Sequence, residues 1–311
     1  MPALSELRLG AVCCHFNPCR YRARVDNYRR FRGALTKSAI PLLTVELAFG
    51  DEPFDVEADP SVVQIRGGDV MFQKERLWQI GAERLLDDGF EAIVFLDADV
   101  LFAESEWPRR VAEGLESAPV VQCFSHSTAE YTDVDVEQVG GVRRFRERGT
   151  LDGRHGLAWA LRADLLARVG LYQHCVVGGG DTALLCGALG LAGEADFRAL
   201  GLPLPHALRY SGAEALAHFG DWAKRFGAVS GGVTTEVDLR LRALAHGALA
   251  SRNYRDRHRL LAGFDPGREV TSVRGGPLAW TPAGEPRRQS VADYFRSRDE
   301  DVVATAGGAR G

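Results

Sequence analysis

The feature of this sequence that most constrains its fold is an apolar run that ends abruptly in acid. Residues 92–96 read Ala-Ile-Val-Phe-Leu and are followed at once by Asp97-Ala98-Asp99. A short run rich in β-branched residues and phenylalanine is typical of a buried strand in an α/β sheet. Ligands of open α/β sheets bind outside the carboxyl ends of the strands. The sequence therefore predicts a strand that carries two carboxylates to a ligand-binding edge.

Two carboxylates one residue apart suit a hard divalent cation. Carboxylate oxygens are preferred ligands of Mg²⁺ and Mn²⁺, and Mg²⁺ is often held by one or two carboxylates together with substrate phosphates. A nucleotide diphosphate bridged by a metal ion is therefore the first hypothesis for the ligand. Because an Asp-x-Asp pair also occurs in ordinary solvated loops, the interpretation depends on its surroundings.

Strand and helix patterns alternate along most of the chain. They predict strands at residues 9–14, 41–47, 61–65, 119–124 and 156–161, and helices at 21–35, before the Asp-x-Asp strand, and at 162–169, 182–190 and 213–226. This alternation favours an α/β fold with a doubly wound, mostly parallel sheet. The polar, irregular stretch 125–148 is predicted to be a flexible loop over a site.

Composition divides the chain into one large domain and a tail. With 311 residues and 45% apolar content, the chain can bury a substantial core. We assign residues 1–265 to that domain. From residue 267 onward glycine, proline and arginine become frequent and apolar periodicity is lost, so residues 266–311 are predicted to be a poorly packed tail with one short helix at 291–296.

Charge and hydropathy narrow the class of protein. The net charge of −4 gives no general attraction to nucleic acid or to an anionic membrane. No apolar stretch approaches the roughly 20 residues of a membrane span, and the N-terminus has no signal-peptide pattern. We therefore expect a cytoplasmic protein without a membrane span, whose six cysteines are free thiols.

The Asp-x-Asp strand and the helix before it resemble those of the β-1,4-galactosyltransferase family. The resemblance is carried by residues 72–81 and 94–100, by the Gly178-Gly179-Gly180-Asp181 segment, and by Ala245-His246-Gly247. With the loop that begins at residue 14, these segments cover residues 9–260 in the family's order. The resemblance implies a GT-A fold, which is a Rossmann-like nucleotide-sugar-binding fold, and a sugar donor that is a nucleotide diphosphate sugar, UDP-linked as in that family.

The resemblance also implies a metal site. It matches Asp97 and Asp99 to the family's Asp-x-Asp motif and His246 to a late histidine that completes the metal shell. Asp99 is the more direct ligand in this interpretation, and Asp97 also helps to position the strand end and the nucleotide. Two carboxylates and one imidazole suit Mn²⁺, with Mg²⁺ as the alternative. His218 is the rival histidine.

Further residues are expected at the nucleotide sugar. The resemblance places ten of them there: Phe16, Asn17, Arg20, Glu46, Phe72, Lys74, Asp97, Trp159, Gly179 and Gly180. Three have open alternatives. Phe72 either stacks on the base or is core, Glu46 either contacts the base edge or is a solvated strand end, and Lys74 is either near the diphosphate or on a solvated helix face.

Asp181 is the candidate catalytic residue, and three interpretations stay open. As the acceptor-side acid it deprotonates the acceptor hydroxyl. Alternatively it matches the preceding family acid, which contacts the acceptor, and Thr182 stands where the base is expected; inversion and retention then both remain open. The third interpretation is a simple helix N-cap, which stabilises a helix by about 1 kcal/mol.

The sequence thus predicts a metal-dependent glycosyltransferase that moves a sugar from a nucleotide diphosphate sugar to an acceptor hydroxyl. The acceptor is open among glycan, lipid, protein, small metabolite and modified nucleic acid. Two alternatives are a nucleotidyltransferase, which would carry a glycine-rich basic loop after its first strand, and a non-catalytic nucleotide-sugar-binding protein of the same fold.

Overall fold

The computed structural model describes residues 7–301. The strands in this part of the chain are β1 Leu9–Phe16, β2 Leu42–Ala48, β3 Val62–Arg66, β4 Ala92–Leu96, β5 Val100–Phe102, β6 Val120–Gln122, β7 His126–Glu130, β8 Asp135–Val139, β9 Ala158–Arg162, β10 Thr234–Glu236, β11 Arg240–Ala243, β12 Val270–Ser272 and β13 Leu278–Trp280. The α-helices are α1 Arg22–Leu35, α2 Lys74–Asp87, α3 Trp107–Ser117, α4 Gly141–Arg148, α5 Ala163–Arg168, α6 Gly180–Ala188, α7 Glu194–Ala199, α8 His206–Arg209, α9 Ala213–Ser230, α10 Pro266–Glu269 and α11 Glu285–Ser297. The first six residues and the end of the predicted tail, residues 302–311, lie outside the described part.

A seven-stranded sheet forms the centre of the molecule. Its strand order is β10-β6-β9-β4-β1-β2-β3. Neighbouring strands are parallel, except that β9 runs antiparallel to both β4 and β6. The predicted α/β class with a mostly parallel central sheet is confirmed.

Both faces of this sheet are covered, which explains why β4 is apolar throughout. Ile93 and Phe95 belong to the core cluster that includes α2 and α9. Val94 and Leu96 belong to the cluster on the opposite face, with α1 and α3. The helix α2 packs close to β1 at Gly81, which has no side chain. A Cβ atom at this position would lie 2.6 Å from the side chain of Val12.

A second sheet, ordered β5-β11-β7-β8, adjoins the first where β4 ends. The strand β5 begins directly after Asp99, so the chain passes from one sheet to the other at the Asp-x-Asp motif. The prediction of a flexible loop at residues 125–148 is wrong. These residues form β7, β8 and α4, because β7 pairs with both β8 and β11 and turns Ser127 and Ala129 inward.

The segment after residue 265 is also packed, as far as the structure describes it. Val270, Leu278, Trp280, Val291 and Phe295 all belong to the main core cluster. This differs from the expected loose tail. The apolar residues are divided between two three-residue strands and one face of α11, so they produce no continuous periodic pattern in the sequence.

No helix within residues 7–301 has the length and apolar character that a membrane crossing requires.

Candidate active site

A cavity of about 730 Å³ lies at the carboxyl ends of β1 and β4. Phe16 at the end of β1 and the carboxylates Asp97 and Asp99 after β4 form part of its wall. Ala129 from β7 and Ala243 from β11 line it from the second sheet. The cavity therefore occupies the ligand-binding edge that the Asp-x-Asp strand predicts.

Strand pairing brings Asp99 and His246 together. The strands β5 and β11 are antiparallel, with Val100 opposite Ala243, and the amide of Leu244 donates to the carbonyl oxygen of Asp99 at 2.9 Å. The side chain of His246 then reaches Asp99, with 2.8 Å between Nε2 and Oδ2. Burial favours protonation of Asp99, but the hydrogen bond and the charge of His246 outweigh it and hold the pKa of Asp99 below its usual value.

Asp97 faces a different partner, Lys74. The ammonium of Lys74 lies 3.1 Å from Oδ1 of Asp97 and 2.5 Å from Oδ2 of Asp181. Burial alone would lower the pKa of Lys74, but the neighbouring carboxylates raise it well above its usual value. Lys74 is thus a charged link between the Asp-x-Asp motif and the Gly-rich segment, which are distant in the sequence, and it is not a solvated surface lysine.

The three predicted metal ligands do not form one compact group. Within residues 7–301, the only three potential ligands with donor atoms all within 4.8 Å of one another are His15, Glu46 and Asp55. Asp97 is held by Lys74 and also accepts a hydrogen bond from the Leu157 amide. Of the three predicted ligands, Asp99 and His246 present two ligand atoms side by side.

Glu75 completes the acidic cluster, and sequence reasoning missed it. Its side chain is buried, and its Oε1 lies 3.9 Å from the ammonium of Lys74. Burial is the main cause that raises the pKa of Glu75 to about 7, and the charges of Asp181 and Asp97 add to it. One ammonium faces three carboxyl groups here, so a proton retained on Glu75 reduces their repulsion. In the sequence nothing distinguishes Glu75 from the exposed acids of α2.

Asp181 lies in the first turn of α6 without capping it. The N-cap position is Gly179, in the left-handed region with φ of 104°, and no side chain caps this helix. The carboxylate of Asp181 turns to Lys74 through Oδ2. Its Oδ1 is buried in the cavity wall and has no hydrogen-bond partner among the described residues. The simple N-cap interpretation is therefore not supported by the geometry.

Thr182, the alternative position for a base, is engaged elsewhere. Nδ1 of His155 lies 2.9 Å from the Thr182 hydroxyl, and Nε2 of the same ring lies 2.9 Å from the carbonyl oxygen of Leu151. Burial lowers the pKa of His155, which keeps the ring neutral between these two partners. His155 lines the cavity and was not identified from the sequence.

Five of the residues predicted at the nucleotide sugar line the cavity: Phe16, Phe72, Lys74, Asp97 and Gly179. The Phe72 ring lies 6.1 Å from the Phe16 ring, measured between centroids. The guanidinium carbons of Arg298 and Arg257 lie 5.2 and 5.7 Å from its centroid. Phe72 is thus a partly buried aromatic surface flanked by two cations.

Three other predicted donor-site residues, Asn17, Arg20 and Glu46, do not line the cavity and belong to a network around Asp55. Asn17 donates to Asp55 at 3.1 Å, and Arg20 pairs with it at 2.8 Å. Glu46 accepts hydrogen bonds from two backbone amides, and His15 lies 3.1 Å from Asp55. Because the carboxylate oxygens already have these partners, the network stabilises the loops after β1 and β2 and leaves Glu46 no free edge for a base.

Three more predicted positions are structural in this arrangement. Trp159 is fully buried in β9 and donates to the carbonyl oxygen of His155 at 2.7 Å. Gly180 faces Glu75, since a Cβ atom there would collide with its carboxyl group. His218, the rival metal ligand, lies 3.2 Å from the Tyr172 hydroxyl and does not line the cavity.

Comparison with known proteins gives weak similarities. No protein-family model matches the chain, and no curated protein matches it in sequence. Among solved structures, a Drosophila β-1,4-galactosyltransferase 7 complex with manganese, UDP-Gal and xylobiose is 11% identical over 63% of this chain, with a TM-score of 0.34. The chain spans 63% of the length of that enzyme chain.

Two other solved structures show similar levels. Glucosyl-3-phosphoglycerate synthase from Mycobacterium tuberculosis, in complex with Mg²⁺ and UDP, is 14% identical over 82% of this chain and 77% of its own, with a TM-score of 0.42. Mannose-1-phosphate geranyltransferase from Thermus thermophilus is 13% identical over 75% of each chain, with a TM-score of 0.32. These values are too low to transfer a function, so the interpretation depends on the site itself.

Proposed function

We propose that the protein is a metal-dependent glycosyltransferase of GT-A type that transfers a sugar from a nucleotide diphosphate sugar, most simply a UDP-sugar, to an acceptor hydroxyl. One observation carries the proposal. A single cavity contains the Asp99–His246 pair and the carboxylate of Asp181, which Lys74 links to Asp97 of the Asp-x-Asp motif. Asp181 also has an oxygen without a hydrogen-bond partner among the described residues, as an acid that binds an acceptor hydroxyl requires.

The residues present fit a divalent ion at Asp99 and His246. A carboxylate oxygen and an imidazole nitrogen lie side by side in the cavity wall, and their side chains are 20% and 15% exposed. These are ligand types that Mn²⁺ accepts, and phosphate oxygens of the donor are suited to the remaining positions. Bound there, the ion would supply charge stabilisation for the leaving diphosphate. Asp97 is engaged by Lys74, which supports a positioning role for it more than direct ligation.

Aromatic and cationic groups near the metal pair support binding of the donor. Phe72 offers a ring on which a base can stack, and Arg298 and Arg257 flank it. Arg252 and Arg24 also line the cavity. Guanidinium groups suit the phosphate oxygens of a nucleotide diphosphate because they donate in a planar fork.

We assign the acceptor side to Asp181. Its Oδ2 is held by Lys74, whereas Oδ1 is buried without a hydrogen-bond partner among the described residues, and an acceptor hydroxyl bound beside it would supply one. In the transfer step the bond from the anomeric carbon to the diphosphate breaks, a bond from that carbon to the acceptor oxygen forms, and Asp181 takes the hydroxyl proton. Burial raises the pKa of the neighbouring Glu75 to about 7, and a proton on Glu75 would reduce the repulsion among the carboxyl groups around Lys74.

The test is nucleotide release from a panel of nucleotide diphosphate sugars, with water or added hydroxyl compounds as acceptor. We expect Mn²⁺- or Mg²⁺-dependent release of UDP from at least one UDP-sugar, and its loss with a chelator. Consumption of a nucleoside triphosphate and a sugar phosphate with release of pyrophosphate would instead identify a nucleotidyltransferase. Binding of UDP-sugars without turnover under any of these conditions would favour the non-catalytic alternative.

A further inference from the structure

The chain segment that follows α11 returns to the proposed metal site. The Tyr21 hydroxyl donates to the carbonyl oxygen of Arg296 at 2.9 Å and lies 3.1 Å from the amide nitrogen of Asp299, which donates to it. The carboxylate of Asp301 accepts hydrogen bonds at 3.0 and 2.8 Å from two amides in the first turn of α1. These contacts hold the segment against the N-terminal end of α1.

The segment brings one buried carboxylate, that of Glu300, into contact with the imidazole of His246. Its side chain is 1% exposed. Oε1 lies 2.6 Å from Arg298 and 3.4 Å from Arg252, and Oε2 lies 3.3 Å from Arg24 and 2.9 Å from Nδ1 of His246. Three guanidinium groups and one imidazole thus surround this buried carboxylate.

The imidazole of His246 therefore lies between two carboxylates, with Nδ1 toward Glu300 and Nε2 toward Asp99. Arg252 also approaches Nδ1, at 2.5 Å, and donates to the carbonyl oxygen of His246. Without a metal ion, the carboxylate of Asp99 can accept a hydrogen bond from Nε2, so the preference at Nδ1 is seen only when that acceptor is removed. If Nδ1–H donates to Glu300, Nε2 keeps the lone pair that a metal requires. If Arg252 donates to Nδ1, the neutral ring carries its proton on Nε2 and cannot ligate.

Backbone packing links the same segment to His246 independently. Gly247, the next residue, is in the left-handed region with φ of 83°, and a Cβ atom there would lie 3.1 Å from both the Asp299 carbonyl oxygen and the Glu300 Cα. The turn that carries His246 and the turn that carries Glu300 are thus in direct contact. This contact fixes the position of the Glu300 carboxylate relative to the imidazole of His246.

We infer that Glu300 is a positioning residue that accepts the Nδ1–H of His246 and so presents Nε2 toward Asp99 and the metal. The inference rests on the proposed function for its consequence, since it assigns the carboxylate partner of a metal-binding histidine. Such partners orient the ring and increase the basicity of the ligating nitrogen, and their loss typically costs about 10- to 100-fold in metal affinity. Glu300 itself does not line the cavity.

The experiment compares Glu300→Gln and Glu300→Asp with the matched control Asp301→Asn. The control alters the same segment but contacts α1 instead of His246. Two quantities are measured on the full chain. One is the tautomer of His246, from nitrogen chemical shifts of ¹⁵N-histidine-labelled, metal-free protein at a pH where imidazole is neutral. For this measurement every chain compared, the parent included, also carries Asp99→Ala, which removes the competing acceptor at Nε2. The other is the dissociation constant of Mn²⁺ at saturating UDP.

We expect the parent and Asp301→Asn to show the Nδ1–H tautomer and equal Mn²⁺ affinity. Both Glu300 variants should lose that tautomer preference and bind Mn²⁺ roughly 10- to 100-fold more weakly. Glu300→Asp keeps a negative charge for the arginines, so it provides the result if Glu300→Gln does not fold. A parent tautomer with the proton on Nε2, or unchanged Mn²⁺ affinity in both variants, would overturn the inference. Absence of Mn²⁺ binding in the parent would instead reject the proposed metal site, and the tautomer measurement would still decide the role of Glu300.

Discussion

Because Glu75 keeps its proton to a higher pH in the folded protein than in the unfolded chain, the free energy of unfolding depends on pH. The pKa of Glu75 is about 7 in the folded protein, against 4.5 for an ordinary glutamate. Above pH 4.5 the unfolded chain releases this proton first, so the folded state loses stability as the pH rises toward 7. At about 1.4 kcal/mol for each pH unit between the two pKa values, the loss approaches about 3 kcal/mol.

The perturbation is Glu75→Gln, which keeps the shape of the side chain and removes its titration. We expect the free energy of unfolding of this variant minus that of the parent to increase by about 3 kcal/mol between pH of about 4.5 and about 8, because only the parent loses stability over this range. The assay is urea denaturation with a chelator present, because urea is uncharged and a bound metal would alter the neighbouring carboxylates.

The matched control is Glu83→Gln, an exposed position on the same helix α2. Its difference in unfolding free energy from the parent should stay nearly constant over the same pH range. A constant difference for Glu75→Gln as well would mean that Glu75 ionises in the folded protein as an ordinary glutamate does, and that it keeps no proton at neutral pH.

Two further predictions concern the Gly-rich segment. Asp181→Asn should lower the rate of sugar transfer by roughly 10²-fold and leave the UDP affinity unchanged. The control Asp164→Asn replaces an exposed acid in the first turn of α5 and should alter neither the rate nor the affinity. Steady-state kinetics measure the rate and calorimetry the affinity, and full turnover in Asp181→Asn would remove Asp181 from the catalytic residues. Gly180→Ala should destabilise the fold by about 1–3 kcal/mol in urea denaturation, because the added methyl group would collide with Glu75. The control Gly227→Ala in α9, where the nearest atom to the added Cβ is 3.8 Å away, should be neutral or slightly stabilising. Equal effects of the two substitutions would contradict the close packing at Gly180.

The parts of the fold that the sequence predicts well are those whose pattern is local. The strand β4 is buried on both faces and the helix α2 covers it, so a continuous apolar run and a helical stripe identify both elements. The hairpin of β7 and β8 is different, because its strands are short, partly polar and stabilised by pairing with β11, which lies far later in the chain. The sequence around β7 and β8 therefore gives no sign of the strand with which β7 pairs.

The same distinction applies to the site. Asp97 and Asp99 could be identified because they follow a recognisable strand, and the order of segments pointed to His246. Glu75 and Glu300 could not, because their environments are created by residues far away in the chain: Asp181 for the first and His246 with three arginines for the second. The donor-site positions that the structure places elsewhere, such as Glu46 and Trp159, lie in strands where the direction of the side chain decides between network, core and cavity.

The central claim is that Asp99 and His246 bind a divalent ion that joins the protein to a nucleotide diphosphate. Calorimetric titration of UDP with and without Mn²⁺, on the parent and on Asp99→Asn, tests it most directly. We expect Mn²⁺ to tighten UDP binding to the parent by about tenfold or more, which corresponds to about 1.4 kcal/mol or more. Asp99→Asn should lose this enhancement and keep its metal-free affinity. UDP binding that Mn²⁺ does not change in the parent, or an enhancement that persists in Asp99→Asn, would mean that this pair does not hold the ion.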